Sequence, residues 1–275
     1  MSDLAARIDA VAGAASLPPE ARAVVDELFD ALEAGTVRAA THDADGQWRA
    51  VSWVKRGILL AFRVGVLASE RVGPFAFIDK DTLPARALTL ADGVRIVAGG
   101  SAVRRGSYLA RGVICVPPMY VNVGAWVGRD SLVDSHALVG SCAQVGERVH
   151  LSAAAQIGGV LEPVNAAPVV IEDDVIVGGN SGVYEGTVVR AGAVLGAGVV
   201  LTRSTPVYDL VRERVYRGTA TEPLEVPAGA VVVPGARHVS HGWGQAQGLA
   251  LQTPVIVKYR DDKTDAAVAL EEWLR

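Results

Sequence analysis

At 275 residues, with 26 basic against 30 acidic side chains and a formal net charge of −4, the chain has no surplus of positive charge with which to hold nucleic acid. Half of its residues are hydrophobic but only 5% are aromatic, and two cysteines cannot build a disulfide framework, so a core of many small branched contacts in a reducing compartment is expected. The opening Met-Ser-Asp-Leu-Ala-Ala-Arg has no apolar signal core, and no apolar run reaches the length of a membrane span; both point to a cytoplasmic protein with no membrane partner.

Leu4, Ile8 and Val11 are spaced for a short helix. Ser16 ahead of Pro18-Pro19-Glu20 marks the start of a second, whose apolar face is Val24, Val25, Leu28, Phe29 and Leu32 and which Gly35 ends. Two short strands are expected at 37–39 and 47–51, joined through Asp43-Ala44-Asp45-Gly46. A further helix follows over 53–62, carrying Lys55 and Arg56. Residues 1–94 thus read as a small α/β cap, too small to be an enzyme by itself.

The middle of the chain obeys a different rule. Val121, Val127, Val133, Val139, Val145, Leu151 and Ile157 are each six positions after the last, and Ile171, Val177, Val183, Val189, Leu195 and Leu201 resume the register. The fifth residue of each unit is mostly small, and the residue after each aliphatic apex is usually Gly or another small turn former, such as Gly128, Gly140 and Gly146. A period of six is neither that of an amphipathic helix nor that of an alternating strand; it is the signature of a parallel β-helix. Residues 95–235 are assigned to this solenoid, with a weaker register back through Val97, Val103, Leu109 and Cys115. The fourteen residues from Ile157 to Ile171 break the count, so a Gly- and Pro-rich loop, 158–168, is expected to be extruded between coils. Coil ends and flat faces need covering, which predicts caps and self-association.

Beyond Leu201, residues 205–209 and 212–217 suggest a hairpin, and 226–232 resumes the hexad for about one unit. In the C-terminal segment, 236–275, a loop is expected from Gly235 to Gly248, a strand over 255–259, and a last helix capped by Thr264 and running to Leu274.

Particular residues narrow the function. Tyr120-Val121-Asn122-Val123-Gly124-Ala125, Val133-Asp134, Val139-Gly140-Ser141-Cys142-Ala143-Gln144-Val145-Gly146, Val149-His150-Leu151-Ser152 and Ile157-Gly158-Gly159-Val160-Leu161-Glu162-Pro163 together resemble the tetrahydrodipicolinate N-succinyltransferase family. Gly46-Gln47-Trp48, Trp53-Val54-Lys55, Leu59-Leu60-Ala61-Phe62-Arg63 and Val255-Ile256-Val257-Lys258 extend the likeness over nearly the whole chain. The resemblance implies a left-handed parallel β-helix in a homotrimer, with active sites between subunits. It also implies an acyltransferase of the diaminopimelate and lysine pathway that moves a succinyl group from succinyl-CoA to the amino group of ring-opened tetrahydrodipicolinate.

Asp134 breaks the small-residue habit after its apex and matches the family's active-site aspartate; a carboxylate there can take the amine proton or hold the ammonium. Arg95 matches the substrate-binding arginine, a guanidinium fork for a carboxylate of the acceptor. The family's glutamate falls on Gly182, so either Glu185 supplies the second acid or Asp134 acts with backbone groups and water. For CoA, Gly158, Gly159, Gly196 and Gly198 offer close approach to backbone, and Lys258 is one of seven basic side chains against four acids between Leu201 and Arg260.

His136 and His150 suggest rival readings, a metal pair or a histidine base. A metal would want a third ligand at matching depth, and His42, His238 and His241 lie outside the main repeat, so no metal is expected. Two other functions stay open on residues alone: the same scaffold using acetyl-CoA or another amine, and a CoA-binding relative without activity.

Overall fold

The computed structural model describes residues 2–261, and the expected last helix lies outside them. Three helices, α1 (Ser2–Gly13), α2 (Ala21–Glu33) and α3 (Ser52–Val64), pack the cap's core, in which Ile8, Val25, Leu28, Phe29, Val54 and Ile58 have no exposed surface. Between α2 and α3 the paired strands are Ala40–His42 and Trp48–Ala50, so the first begins three residues later than its sequence suggested. Val37 and Ala39 are buried as part of the cap's core ahead of that strand. The hairpin formed by Leu67–Val72 and Phe75–Lys80 has no counterpart in the reading of the sequence. Its large apolar side chains face solvent, Leu67 and Ile78 being 71% and 74% exposed.

From Arg95 onward two-residue strands recur every six residues and stack in parallel into a left-handed β-helix of triangular section. Face I carries Arg95–Ile96, Ile114–Cys115, Leu132–Val133, His150–Leu151, Ile176–Val177 and Val194–Leu195. Face II carries Ala102–Val103, Tyr120–Val121, Leu138–Val139, Gln156–Ile157, Gly182–Val183 and Val200–Leu201. Face III carries Tyr108–Leu109, Trp126–Val127, Gln144–Val145, Val170–Ile171, Val188–Val189 and Glu225–Val226. The second residue of nearly every strand is the apex read from the sequence; from Val121 to Leu201 every apex is fully buried.

A full coil is eighteen residues, as in Val127 opposite Val145. Val145 instead pairs with Ile171, twenty-six residues on, because the loop after Ile157 is thrown outward. That loop docks on the cap: Leu161 packs against the cap core, and the fully buried Lys55 donates from Nζ to the Ala166 carbonyl at 2.6 Å.

Most corners turn on a residue in the left-handed region three positions after the apex, whether glycine (Gly124, Gly186, Gly192) or not (Asp130, His136, Ala154, Asn180). Gly128, Gly140 and Gly146, expected as turn formers, are not in that region. They are glycine for another reason: a Cβ on Gly140 would lie 2.2 Å from the Gly159 nitrogen, and one on Gly128 2.4 Å from the Gly146 oxygen. At these places coil backbones touch.

After the last full coil, Val207–Asp209 and Arg214–Tyr216 form the expected hairpin. The segment read as loop from Gly235 is instead largely strand and helix. Ala230–His238 runs antiparallel to Ala250–Tyr259 as a long arm, with α4 (Gly242–Ala246) at its tip.

Candidate active site

Asp134 follows Val133 at the corner where face I turns into face II. Its backbone N–H donates to the Leu151 carbonyl, and its Oδ1 accepts the Ser135 N–H at 2.7 Å. The half-buried carboxylate is therefore fixed in orientation by one oxygen, while Oδ2 has no hydrogen-bond partner among the described residues. Such a group can accept a proton from a bound amine without first breaking an ion pair.

Arg95 lies on the same face, on the strand two places before that of Asp134, in the order Arg95–Ile96, Ile114–Cys115, Leu132–Val133. It is exposed, and its guanidinium has no ion pair among the described residues. Arg95 is level with Leu132, two residues before Asp134, so two strand spacings of about 10 Å in total combine with about 7 Å along the strand, a gap that the long arginine side chain and a ligand with an amine at one end and a carboxylate at the other can bridge.

Glu185 is elsewhere. It occupies the left-handed corner between faces II and III, with φ of 55°, and its Oε2 accepts the Arg203 N–H at 3.2 Å beside a shallow depression of about 480 Å³. Gly158 and Gly182 are joined by a feature that the sequence reading passed over. The half-buried ring of Tyr184 lies across both: a Cβ on Gly182 would be 2.4 Å from its Cε2 and 2.7 Å from its hydroxyl, and one on Gly158 2.7 Å from its Cδ1. Gly159 is held against the backbone of Ser141, at 2.3 Å from a built Cβ, whereas a Cβ on Gly196 would come to 3.2 Å from the Val232 oxygen and one on Gly198 only to 3.9 Å from Pro234. Lys258 pairs with Asp261 at 3.1 Å on the distant arm. The glycines and Lys258 are not gathered at one place.

A cavity of about 910 Å³ contains none of the candidate catalytic or CoA-binding residues. It lies at the seam of the cap and face III, opposite the corner that holds Asp134. Arg38 stacks on Trp126 at 4.0 Å and near Trp48 at 5.4 Å, and donates from Nε to Gln144 at 3.0 Å. Burial lowers its pKa to about 10. Glu172 accepts from Trp48 and from Arg190, which also pairs with Glu225. Glu172 and Arg190, like Asp134 and Tyr184, are large residues just after an apex; that irregularity was a signal available in the sequence. His136 is exposed at a corner and His150 half-buried on face I, and among the described residues no three His, Cys, Asp or Glu gather as a metal site.

Residues 6–64 match the family model described as tetrahydrodipicolinate N-succinyltransferase N-terminal, and 168–203 match the hexapeptide repeat of succinyl-transferase. The 2,3,4,5-tetrahydropyridine-2,6-dicarboxylate N-succinyltransferase of Polynucleobacter asymbioticus is 40% identical over 265 residues, 94% of this chain and 92% of its own. Its counterpart in Acinetobacter baylyi is 40% identical over 266 residues, 95% and 92% of the two chains. A solved structure, a putative 2,3,4,5-tetrahydropyridine-2-carboxylate N-succinyltransferase of Campylobacter jejuni, covers 92% of this chain and 65% of that one at 17% identity with a TM-score of 0.46; at that score it adds nothing to what the sequence relatives show.

Proposed function

The chain belongs to the tetrahydrodipicolinate N-succinyltransferase family, and we propose that Asp134 and Arg95 carry its reaction. The reaction is succinyl transfer from succinyl-CoA to ring-opened tetrahydrodipicolinate, a step of the diaminopimelate and lysine pathway. The free amine of the acceptor attacks the thioester carbonyl, the carbon–sulfur bond breaks, and N-succinyl-2-amino-6-oxopimelate and CoA leave. The nitrogen gives up one proton as the amide forms, and the departing thiolate takes one up.

The observation that carries the assignment of roles is the state of the Asp134 carboxylate, with one oxygen pinned by the Ser135 N–H and the other unpartnered among the described residues. Asp134 receives the proton of the attacking nitrogen, and Arg95, two strands away on the same face, binds a carboxylate of the acceptor. Direct attack within a ternary complex needs no covalent enzyme intermediate, and neither buried cysteine is suited to forming one: burial pushes both thiols up to about 12. Glu185, whose carboxylate caps the Arg203 N–H, is the weaker candidate for a second acid.

The working unit is a cytoplasmic homotrimer with its sites between subunits. Half-buried Ile114, Leu132, Ile176 and Val194, with His150 between the second and third, form a largely apolar outer stripe on face I.

Thiol release from succinyl-CoA and from acetyl-CoA, each with tetrahydrodipicolinate or L-2-aminopimelate, tests the reading. Succinyl-CoA is expected to be strongly preferred. Equal or better use of acetyl-CoA would overturn the donor assignment, and no release from either with CoA still bound would make the chain a binding relative.

A further inference from the structure

Tyr184 is placed by two absences. Gly158 follows one strand of face II and Gly182 begins the next, and only because both lack a side chain can the ring cross the face between them. Tyr184 itself starts at the far corner, between faces II and III, and its hydroxyl is carried back to Gly182, next to the corner between faces I and II. That is the edge on which Asp134 lies. The hydroxyl has no hydrogen-bond partner among the described residues.

Arg95 is on the first coil, Asp134 on the third and Gly182 on the fifth. With the acceptor stretched between Arg95 and Asp134, the acyl group approaches Asp134 from the opposite side, over the fourth and fifth coils. The two coils between Asp134 and Gly182 are about 10 Å of axial distance. An amine hydrogen-bonded to Asp134, an extended succinyl chain and a hydrogen bond to its far carboxylate also span roughly 10 Å.

We propose that Tyr184 is the residue that recognises the succinyl group, its hydroxyl donating a hydrogen bond to the distal carboxylate of the acyl donor. The inference rests on the reaction assigned above. It gives the donor's far end a polar partner where none of the other named site residues reaches. Glycine at 182 then has a purpose, since any side chain there would displace the ring.

The test is the ratio of kcat/KM for succinyl-CoA to that for acetyl-CoA in the full chain, measured for wild type, Tyr184→Phe, Gly182→Ala and the double variant. A hydrogen bond to a charged group is worth about 1.5–3 kcal/mol, so Tyr184→Phe is expected to lower the ratio roughly 10- to 100-fold, the loss falling on kcat/KM for succinyl-CoA. Gly182→Ala, whose methyl group pushes the ring aside, is expected to lower it similarly, and the double variant to lose no more than Tyr184→Phe alone. An unchanged ratio in Tyr184→Phe, or losses that simply multiply in the double variant, would overturn the proposal while succinyl transfer stood. A wild type with no preference for succinyl-CoA would remove the donor reading and this inference together.

Discussion

A carboxylate with one oxygen tied to its neighbour's N–H and the other open is a proton acceptor with its geometry already fixed. Asp134→Asn keeps the shape and the hydrogen bond from Ser135 but cannot take a proton. Turnover is expected to fall about 10²- to 10⁴-fold with CoA affinity unchanged, read from thiol release and calorimetry. Lys55 shows the opposite case, a charge buried for structure. Burial holds its pKa below the ordinary 10.5, so the folded state sheds this proton at lower pH than the unfolded chain does. The ammonium therefore costs stability at neutral pH, and the cost is relieved as pH rises toward 10.5. Between pH 7 and 10 the urea midpoint of wild type should gain on that of Lys55→Met, a comparison that cancels every other titrating group. Of these residues the sequence singles out Asp134 as a candidate, because an acid interrupts a run of small residues after the apices. Tyr184 interrupts the same run in the same way. What hid its role is that the direction of its ring depends on Gly158 and Gly182, twenty-four residues apart in the chain and adjacent only once the coils are stacked.

At the scale of one coil, two kinds of glycine look alike in the sequence and are required for different reasons, a torsion in one and a close backbone neighbour in the other. The corner position three after most apices takes a positive φ, and Ala154 meets it at 59° with a side chain that resists it. Ala154→Gly is expected to stabilise the protein by up to about 1 kcal/mol, the relief of strain outweighing the added freedom of the unfolded chain. Gly140 has no such φ, yet its missing Cβ is what lets the Gly159 backbone approach. Gly140→Ala should cost about 2–3 kcal/mol, measured in the same denaturation series. The hexad itself was legible because burial repeats with it, apex by apex. The reason for each glycine was not, since a period shows where a small residue sits but not whether torsion or a neighbouring backbone requires it. The hairpin at 67–80 escaped for a related reason: its strands bury neither face within the chain, so no alternation marks them.

On the whole molecule, the cap and the arm divide the surface unequally. Arg38 and Trp48 of the cap reach Trp126, Gln144 and Glu172 of face III, whereas faces I and II keep apolar outer residues such as Ile176 and Val200. A two-stranded hairpin is marginal in water on its own, yet here one leaves Leu67, Phe75 and Ile78 largely exposed, and the arm does the same with Trp243. These surfaces are what three copies would cover, and a site at the corner of faces I and II would then lie in the groove between two of them. Ile176→Asp separates assembly from chemistry, because it charges the outer side of face I while leaving the buried apices, Asp134, Arg95 and Tyr184 untouched. Light scattering should show wild type at three chain masses and the variant at one, with native circular dichroism and with thiol release lost. A folded variant monomer that turned over at the wild-type rate would place the whole site within one chain, and the trimer would then have no part in catalysis.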